Sequence, residues 1–132
     1  MTMEKRKHIR LLADDNAFAA LGSRYSKVGK VKNISSGGLA FEYITNNGES
    51  GDETCQLNIF VSGNDFHLSK VPCRVVYDIP VRRSDVSRIF YQPFITKQCG
   101  VQFRALAEDT LAQLNHFLET HTSGIAPRLP EV

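Results

Sequence analysis

Apolar positions recur with a period of two along most of the chain and change to a helical period near its end. Leu39, Phe41 and Tyr43 share one parity, with Ala40 and Glu42 between them, which is the alternation of a half-buried strand over Leu39 to Ile44. Cys55, Leu57, Ile59 and Val61 repeat the pattern, and Val71, Cys73, Val75 and Tyr77 repeat it again within His67 to Ile79. Pro72 has no N–H to give to a ladder, so it marks an edge or a bulge in that segment. Weaker runs lie at Phe18 to Leu21 and at Tyr25 to Ile34, where Val28, Val31 and Ile34 are interrupted by Gly29 and by charged residues. Gln98 to Phe103 supplies the last strand. Asn46 to Asp52 and Ser62 to Asp65 are dense in turn formers. Val81 to Gln92, with Arg82, Arg83 and Arg88, reads as an exposed connection or an irregular strand. Leu106, Leu111, Leu114, Phe117 and Leu118 then recur at helical spacing, with Gly124 and Pro127 to end the helix. Six or seven short strands followed by one amphipathic helix predict a mainly β fold, a small antiparallel barrel with a C-terminal helix packed on it.

Composition narrows the class. A chain of 132 residues is one domain, large enough to bury a core. At 42% apolar and 23% charged, with a formal net charge of +2, it is neither a disordered chain nor a polycation built to coat nucleic acid. A barrel for single-stranded nucleic acid needs a basic groove interleaved with aromatics, whereas the basic residues gather at the N-terminus. No run approaches the ~20 apolar residues of a membrane span. The basic start MTMEKRKHIRLL lacks a sustained apolar core and a cleavage site, so no secretory signal and a cytoplasmic location are expected. Cys55, Cys73 and Cys99 are odd in number and form no close pair, which fits reduced thiols packed as small hydrophobes. His116 and His121 are five apart and do not share a helical face, so no metal site is predicted.

A catalytic constellation is absent as well. There is no Gly-x-Ser-x-Gly elbow, no Walker loop and no dinucleotide fingerprint, and adjacent Asp14 and Asp15 point to opposite faces of an extended chain. The chain is not expected to be an enzyme. Two other constellations stand out. Arg6-x-x-x-Arg10 presents two planar guanidiniums, each a fork that matches phosphate oxygens or the O6/N7 edge of guanine; taken alone it is also what a solvated basic terminus looks like. Asn33-Ile34-Ser35-Ser36-Gly37-Gly38 places an amide and a hydroxyl on one face of an extended segment. Its two glycines permit positive φ and leave backbone amides bare to a ligand, though a tight hairpin would use the same residues.

Together, Arg6, Arg10, Asn33, Ser35 and Gly38 resemble the signature of the PilZ domain, a bacterial receptor for cyclic di-GMP: Arg-x-x-x-Arg, then (Asp/Asn)-x-Ser-x-x-Gly on a barrel strand. Gly38-Leu39-Ala40-Phe41 and Gly100-Val101-Gln102-Phe103 before a helix are also similar to that family, and the likeness runs from Lys5 to about Leu118. The resemblance implies a six-stranded antiparallel barrel without catalysis or cofactor, and an arm over residues 1–12 ahead of a barrel and helix over 13–122. The tail over 123–132 is left open between disorder and docking. It further implies that cyclic di-GMP binds between arm and barrel. Arg6 and Arg10 would meet phosphate and guanine, Asn33 and Ser35 would bond from the wall, and Gly38 would keep the turn open. Lys5, Ser36, Gly37 and Arg74 join as further candidates, Lys5 because the residue before the arginine motif bears on ligand stoichiometry. Tyr77 is read first as core and second as a ligand residue. Binding would order the arm and signal to an effector protein, with motility, exopolysaccharide or biofilm control as output. The other reading is a PilZ-like adaptor that binds protein but no nucleotide. Neither a nucleic-acid polymer nor a membrane is an expected partner.

Overall fold

A computed structural model of the chain describes residues 9–22, 27–46, 56–63, 66–81 and 94–126. The elements run β1 (Leu11–Ala13), β2 (Ala17–Leu21), β3 (Lys27–Ser35), β4 (Gly38–Asn46), β5 (Gln56–Val61), β6 (His67–Pro80), β7 (Phe94–Phe103), α1 (Glu108–Thr120) and β8 (Thr122–Ile125). The strands β2-β5-β6-β7-β4-β3 are hydrogen-bonded in that order, and a β2–β3 pairing closes them into a six-stranded antiparallel barrel. Closure leaves no open edge in the ring itself. The fold expected from the alternating pattern is therefore the one observed.

Three bulges adjust that ring. In β3, Val31 faces Phe41 but Asn33 faces Ala40, so Lys32 is an extra residue. In β6, Val75 faces Val101 but Tyr77 faces Gly100, so Val76 is extra. The third lies where Leu57 and Ile59 of β5 face Val71 and Leu68, with Lys70 at φ 59 and its N–H donated to the buried Asn58 side chain at 3.2 Å. Each extra residue reverses the inside-outside parity beyond it. The sequence placed Val75 and Tyr77 on the parity of Val71 and Cys73; the Val76 bulge turns Tyr77 outward, and it is 36% exposed. Tyr77 is not a core residue. Pro72 is not on an edge strand, since β6 has neighbours on both sides, and it lies two residues beyond the Lys70 bulge.

The core collects Val31, Ile34, Leu39, Phe41, Leu57, Ile59, Val71, Cys73, Cys99 and Val101 from the strands, and Leu114 and Phe117 from α1. The Phe117 ring packs against Phe66 and His121, with centroids 5.3 Å from each. Leu111 has the helical spacing of a core residue but is 39% exposed. Cys73 and Cys99 are free thiols, and burial above all, with the nearby Asp78 charge, pushes Cys99 up to about 12. Cys55 and the Arg82, Arg83 and Arg88 group lie outside the described residues. Among the described residues, no cluster of His, Cys, Asp and Glu is arranged to hold a metal ion, and no helix is long and apolar enough to cross a membrane.

Two short strands lie outside the ring. β3 pairs with β2 through Lys27 to Lys30 and with β1 through Asn33 and Ile34. β1 pairs in turn with β8, and Arg10 and His121 carbonyls accept the Ala126 and Asp14 N–H groups at 2.9 Å each. The end of the arm and the start of the tail are thus parts of one ladder.

The end of the barrel opposite β1 is closed by polar side chains. Asp78 receives Lys27 Nζ at 2.9 Å and the Tyr43 hydroxyl at 2.7 and 2.9 Å, with Lys97 Nζ at 3.7 Å. The Lys27 side chain is only 6% exposed and that of Asp78 20%. Burial by itself would raise the Asp78 pKa, but the hydrogen bonds from Lys27 and Tyr43, with the charges of Lys27 and Lys97, hold it below its ordinary value. A depressed folded-state pKa contributes stability that is fully present above the unfolded value, about 4, and is lost as pH falls through the folded value. Asp78→Asn leaves the Lys27 ammonium buried without its counter-charge, at a cost of about 3 kcal/mol at neutral pH. Melting temperatures from pH 7 down to pH 3 should show the gap between wild type and Asp78→Asn closing below about pH 4.

Candidate ligand-binding cleft

The strand registers lay out the outer face of β3, β4, β7 and β6 in rows. Ser35, Gly38, Gln102 and Arg74 lie side by side across the four strands, and Asn33, Ala40, Gly100 and Tyr77 form the next row. Three strand spacings, about 14 Å, separate the β3 side from the β6 side. Three of the four central positions, Gly38, Ala40 and Gly100, are small or bare, and the fourth is Gln102, whose side chain is bonded to Arg74. Polar groups therefore stand at the two flanks of a low floor. Without the Lys32 bulge, Asn33 and Ser35 would share the inward parity of Val31. With it, Ile34 points into the core and the two polar neighbours point out.

Above this floor is a cleft of about 690 Å³. Arg10, Ser35, Ser36 and Gly37 line one part of it; Arg74, Val76, Tyr77, Gln102, Arg104, Leu106 and Leu111 line much of the rest. Three guanidiniums border the cleft, and none of the described residues lining it is acidic. A set of guanidiniums without a carboxylate among its described neighbours favours an anion with hydrogen-bonding edges.

The arm meets the sheet at one defined contact. Arg10 Nη1 donates to Asn33 Oδ1 at 2.8 Å, joining residues 23 apart. Pairing of Leu11 with Ile34 and Leu12 with Asn33 sets that approach from the backbone. Ser35 is 3% exposed, and its hydroxyl accepts the Gly37 N–H at 3.0 Å, so it holds the β3–β4 turn as well as lining the cleft. The Gly37 carbonyl then accepts the Phe103 N–H at 2.9 Å, fixing the turn to β7. The glycines of this turn permit positive φ, but neither Gly37 nor Gly38 uses it. Gly38 is required for another reason: a Cβ there would run into the Val101 carbonyl oxygen. It lies in the floor and does not line the cleft.

Arg74 Nη2 donates to Gln102 Oε1 at 2.7 Å, and Gln98 Nε2 donates to the Tyr77 hydroxyl at 2.9 Å. The Tyr77 ring lies over Gly100, where any side chain would meet its ring carbons. Residues Arg10, Ser35, Ser36, Gly37, Arg74 and Tyr77 are therefore brought to one cleft, with Asn33 behind Arg10 and Gly38 beneath. Lys5 and Arg6 lie outside the described residues. Gln102, Arg104, Leu106 and Leu111 were not anticipated. Outward parity on β7 was the available signal for Gln102, Arg104 directly follows that strand, and Leu111 was hidden by its helical spacing.

The PilZ domain family matches residues 4–120. The chain belongs to the PilZ family. Among solved structures, this PilZ domain is similar to the PilZ domain of YcgR from Escherichia coli, solved with c-di-GMP, at a TM-score of 0.66 and 14% identity over 89% of this chain and 92% of that one. It is also similar to YcgR from Escherichia coli in complex with c-di-GMP, at a TM-score of 0.59 and 13% identity over 89% of this chain and 46% of that chain. The K. pneumonia MrkH–c-di-GMP complex gives a TM-score of 0.62 and 15% identity over 89% of this chain and 52% of that one. The chain thus spans about half the length of these two larger proteins. No curated protein matches it significantly by sequence.

The floor geometry is directly testable. Gly38→Ala must push β4 from the Val101 carbonyl, which is backbone and cannot swing aside. Overpacking of this kind costs about 2 kcal/mol. Urea denaturation should show a lower midpoint for Gly38→Ala with an unchanged slope.

Proposed function

We propose that this PilZ domain is a non-catalytic receptor for cyclic di-GMP, which binds over the outer face of β3, β4, β7 and β6 beneath the arginine arm. The observation that carries the reading is the Arg10–Asn33 hydrogen bond, which joins the two signature motifs at the margin of a basic cleft with no acidic residue among the described residues of its lining. Cyclic di-GMP is a dianion with two guanine faces. Arg6 and Arg10 supply forks for phosphate and guanine, Asn33 and Ser35 supply polar groups from a rigid wall, and Ser36 and Gly37 supply the turn. The c-di-GMP present in the similar YcgR and MrkH structures supports the same ligand class.

In this reading the ligand pins the arm against the sheet and so creates a composite surface that an effector protein recognises. Because β1 pairs with β8, a shift of the arm is felt by the segment after α1. The setting is the bacterial cytoplasm, and the outputs are those of the family: motility, exopolysaccharide or biofilm control.

Calorimetric titration with cyclic di-GMP, with GTP and linear diguanylate as controls, tests this. Binding at micromolar or tighter Kd, selective for the cyclic form, is expected, and the titration also reports stoichiometry. Arg10→Ala and Arg6→Ala should each weaken it ~5- to ~150-fold, the loss of one bidentate contact. Raising salt from 50 to 200 mM should weaken it only modestly, since few phosphates are engaged. No heat, together with an unchanged melting temperature at millimolar ligand, would discard the receptor in favour of a protein-binding adaptor.

A further inference from the structure

The cleft has two chemically different parts. Toward β3 it is polar and hydroxyl-rich, with Arg10, Ser35, Ser36 and the Gly37 backbone. Toward β6 and α1 it has apolar walls, Val76, Leu106 and Leu111, with the Tyr77 ring between. Phosphate oxygens belong at the first, while the faces of a planar base gain from burial against the second. One cation at the second part is uncommitted. The Arg10 guanidinium is held by Asn33 and that of Arg74 by Gln102. The Arg104 guanidinium makes neither a hydrogen bond nor an ion pair with another described residue. Its backbone is fixed, because the Arg104 N–H donates to the Pro72 carbonyl at 2.9 Å, so the side chain emerges from a rigid point.

An unpaired guanidinium beside an apolar wall is poor for storing charge and well suited to reading a base edge. Guanine presents two acceptors, O6 and N7, at the spacing of the guanidinium fork; adenine pairs its N7 acceptor with an amino donor and rejects the fork. We propose that Arg104 is a specificity-determining residue that reads the O6/N7 edge of one guanine, whose faces are covered by Tyr77 and the Leu106–Leu111 wall. The assignment rests on the cyclic di-GMP reading above and adds a residue outside both signature motifs. It also brings the ligand against the first turns of α1, through Leu111.

A cycle of protein and ligand variants tests it. Wild type and Arg104→Ala are titrated with cyclic di-GMP and with its 7-deaza-guanine analogue, which lacks the N7 acceptor. Wild type should bind the analogue about 10-fold more weakly than the parent, a single-contact loss. Arg104→Ala should bind the parent about 10-fold more weakly than wild type does, and should discriminate between parent and analogue at least 3-fold less. Arg104 is exposed, and an unchanged melting temperature of the free variant confirms that folding is intact. Equal discrimination in the two proteins would overturn the base-edge role, whether or not the variant is weaker overall, because a phosphate contact is blind to N7. Unaltered affinity in Arg104→Ala would overturn it too. Failure of wild type to bind cyclic di-GMP at all would bring down the receptor reading, and with it this one, and the wild-type titration alone reports that outcome.

Discussion

Strand register is the constraint on which the rest of this structure depends. In a sheet, one extra residue exchanges the inner and outer faces of everything beyond it. The Lys32 bulge lets Val31 and Ile34 both enter the core while Asn33 and Ser35 turn out. The Val76 bulge does the same on the far side, keeping Val75 opposite Val101 and turning Tyr77 onto the outer face over Gly100. Both flanks of the cleft are therefore products of bulges, one on each side of the unbulged β4–β7 pair. Bulges beside binding sites re-aim side chains at the expense of ladder hydrogen bonds. Here the re-aimed Ser35 and Tyr77 line the cleft, and the re-aimed Asn33 holds Arg10 at its margin.

The middle of the floor obeys a different rule. Gly38 lies against the Val101 carbonyl and Gly100 lies under the Tyr77 ring, so neither position has space for a Cβ. Charge is partitioned along the barrel in the same economical way. Among the described residues, cations border the cleft without a carboxylate, while the other end buries Asp78 among Lys27, Lys97 and Tyr43. The anion there is already satisfied by fixed partners.

The β1–β8 ladder links the site to the end of the described chain. Arg10 bonds Asn33 through its side chain and Ala126 through its carbonyl, so one residue touches both the cleft margin and the segment after α1. β1 is three residues long and β8 four, and ladders of that length hold by few bonds. Arg10 thus adjoins a weakly held element, of the kind in which a modest interaction energy can change a population.

Much of this protein was legible in its sequence. Alternation at Leu39 to Ile44 and Leu57 to Val61, and the helical period at Leu114 and Phe117, are local consequences of burying one face of a strand or helix. The Arg10 and Asn33-to-Gly38 motifs were visible because they are short, polar and closely spaced. Tertiary structure alone decided where those residues point. A bulge leaves only a faint trace in one chain, the three-residue step from Val31 to Ile34, because the extra residue is defined by what its partner strand lacks. The reason for Gly38 belongs to β7, the exposure of Leu111 to the cleft it lines, and the burial of Lys27 to an aspartate 51 residues away. Periodicity reports the environment averaged over one element; a site is made where several elements meet, and only their mutual register locates it.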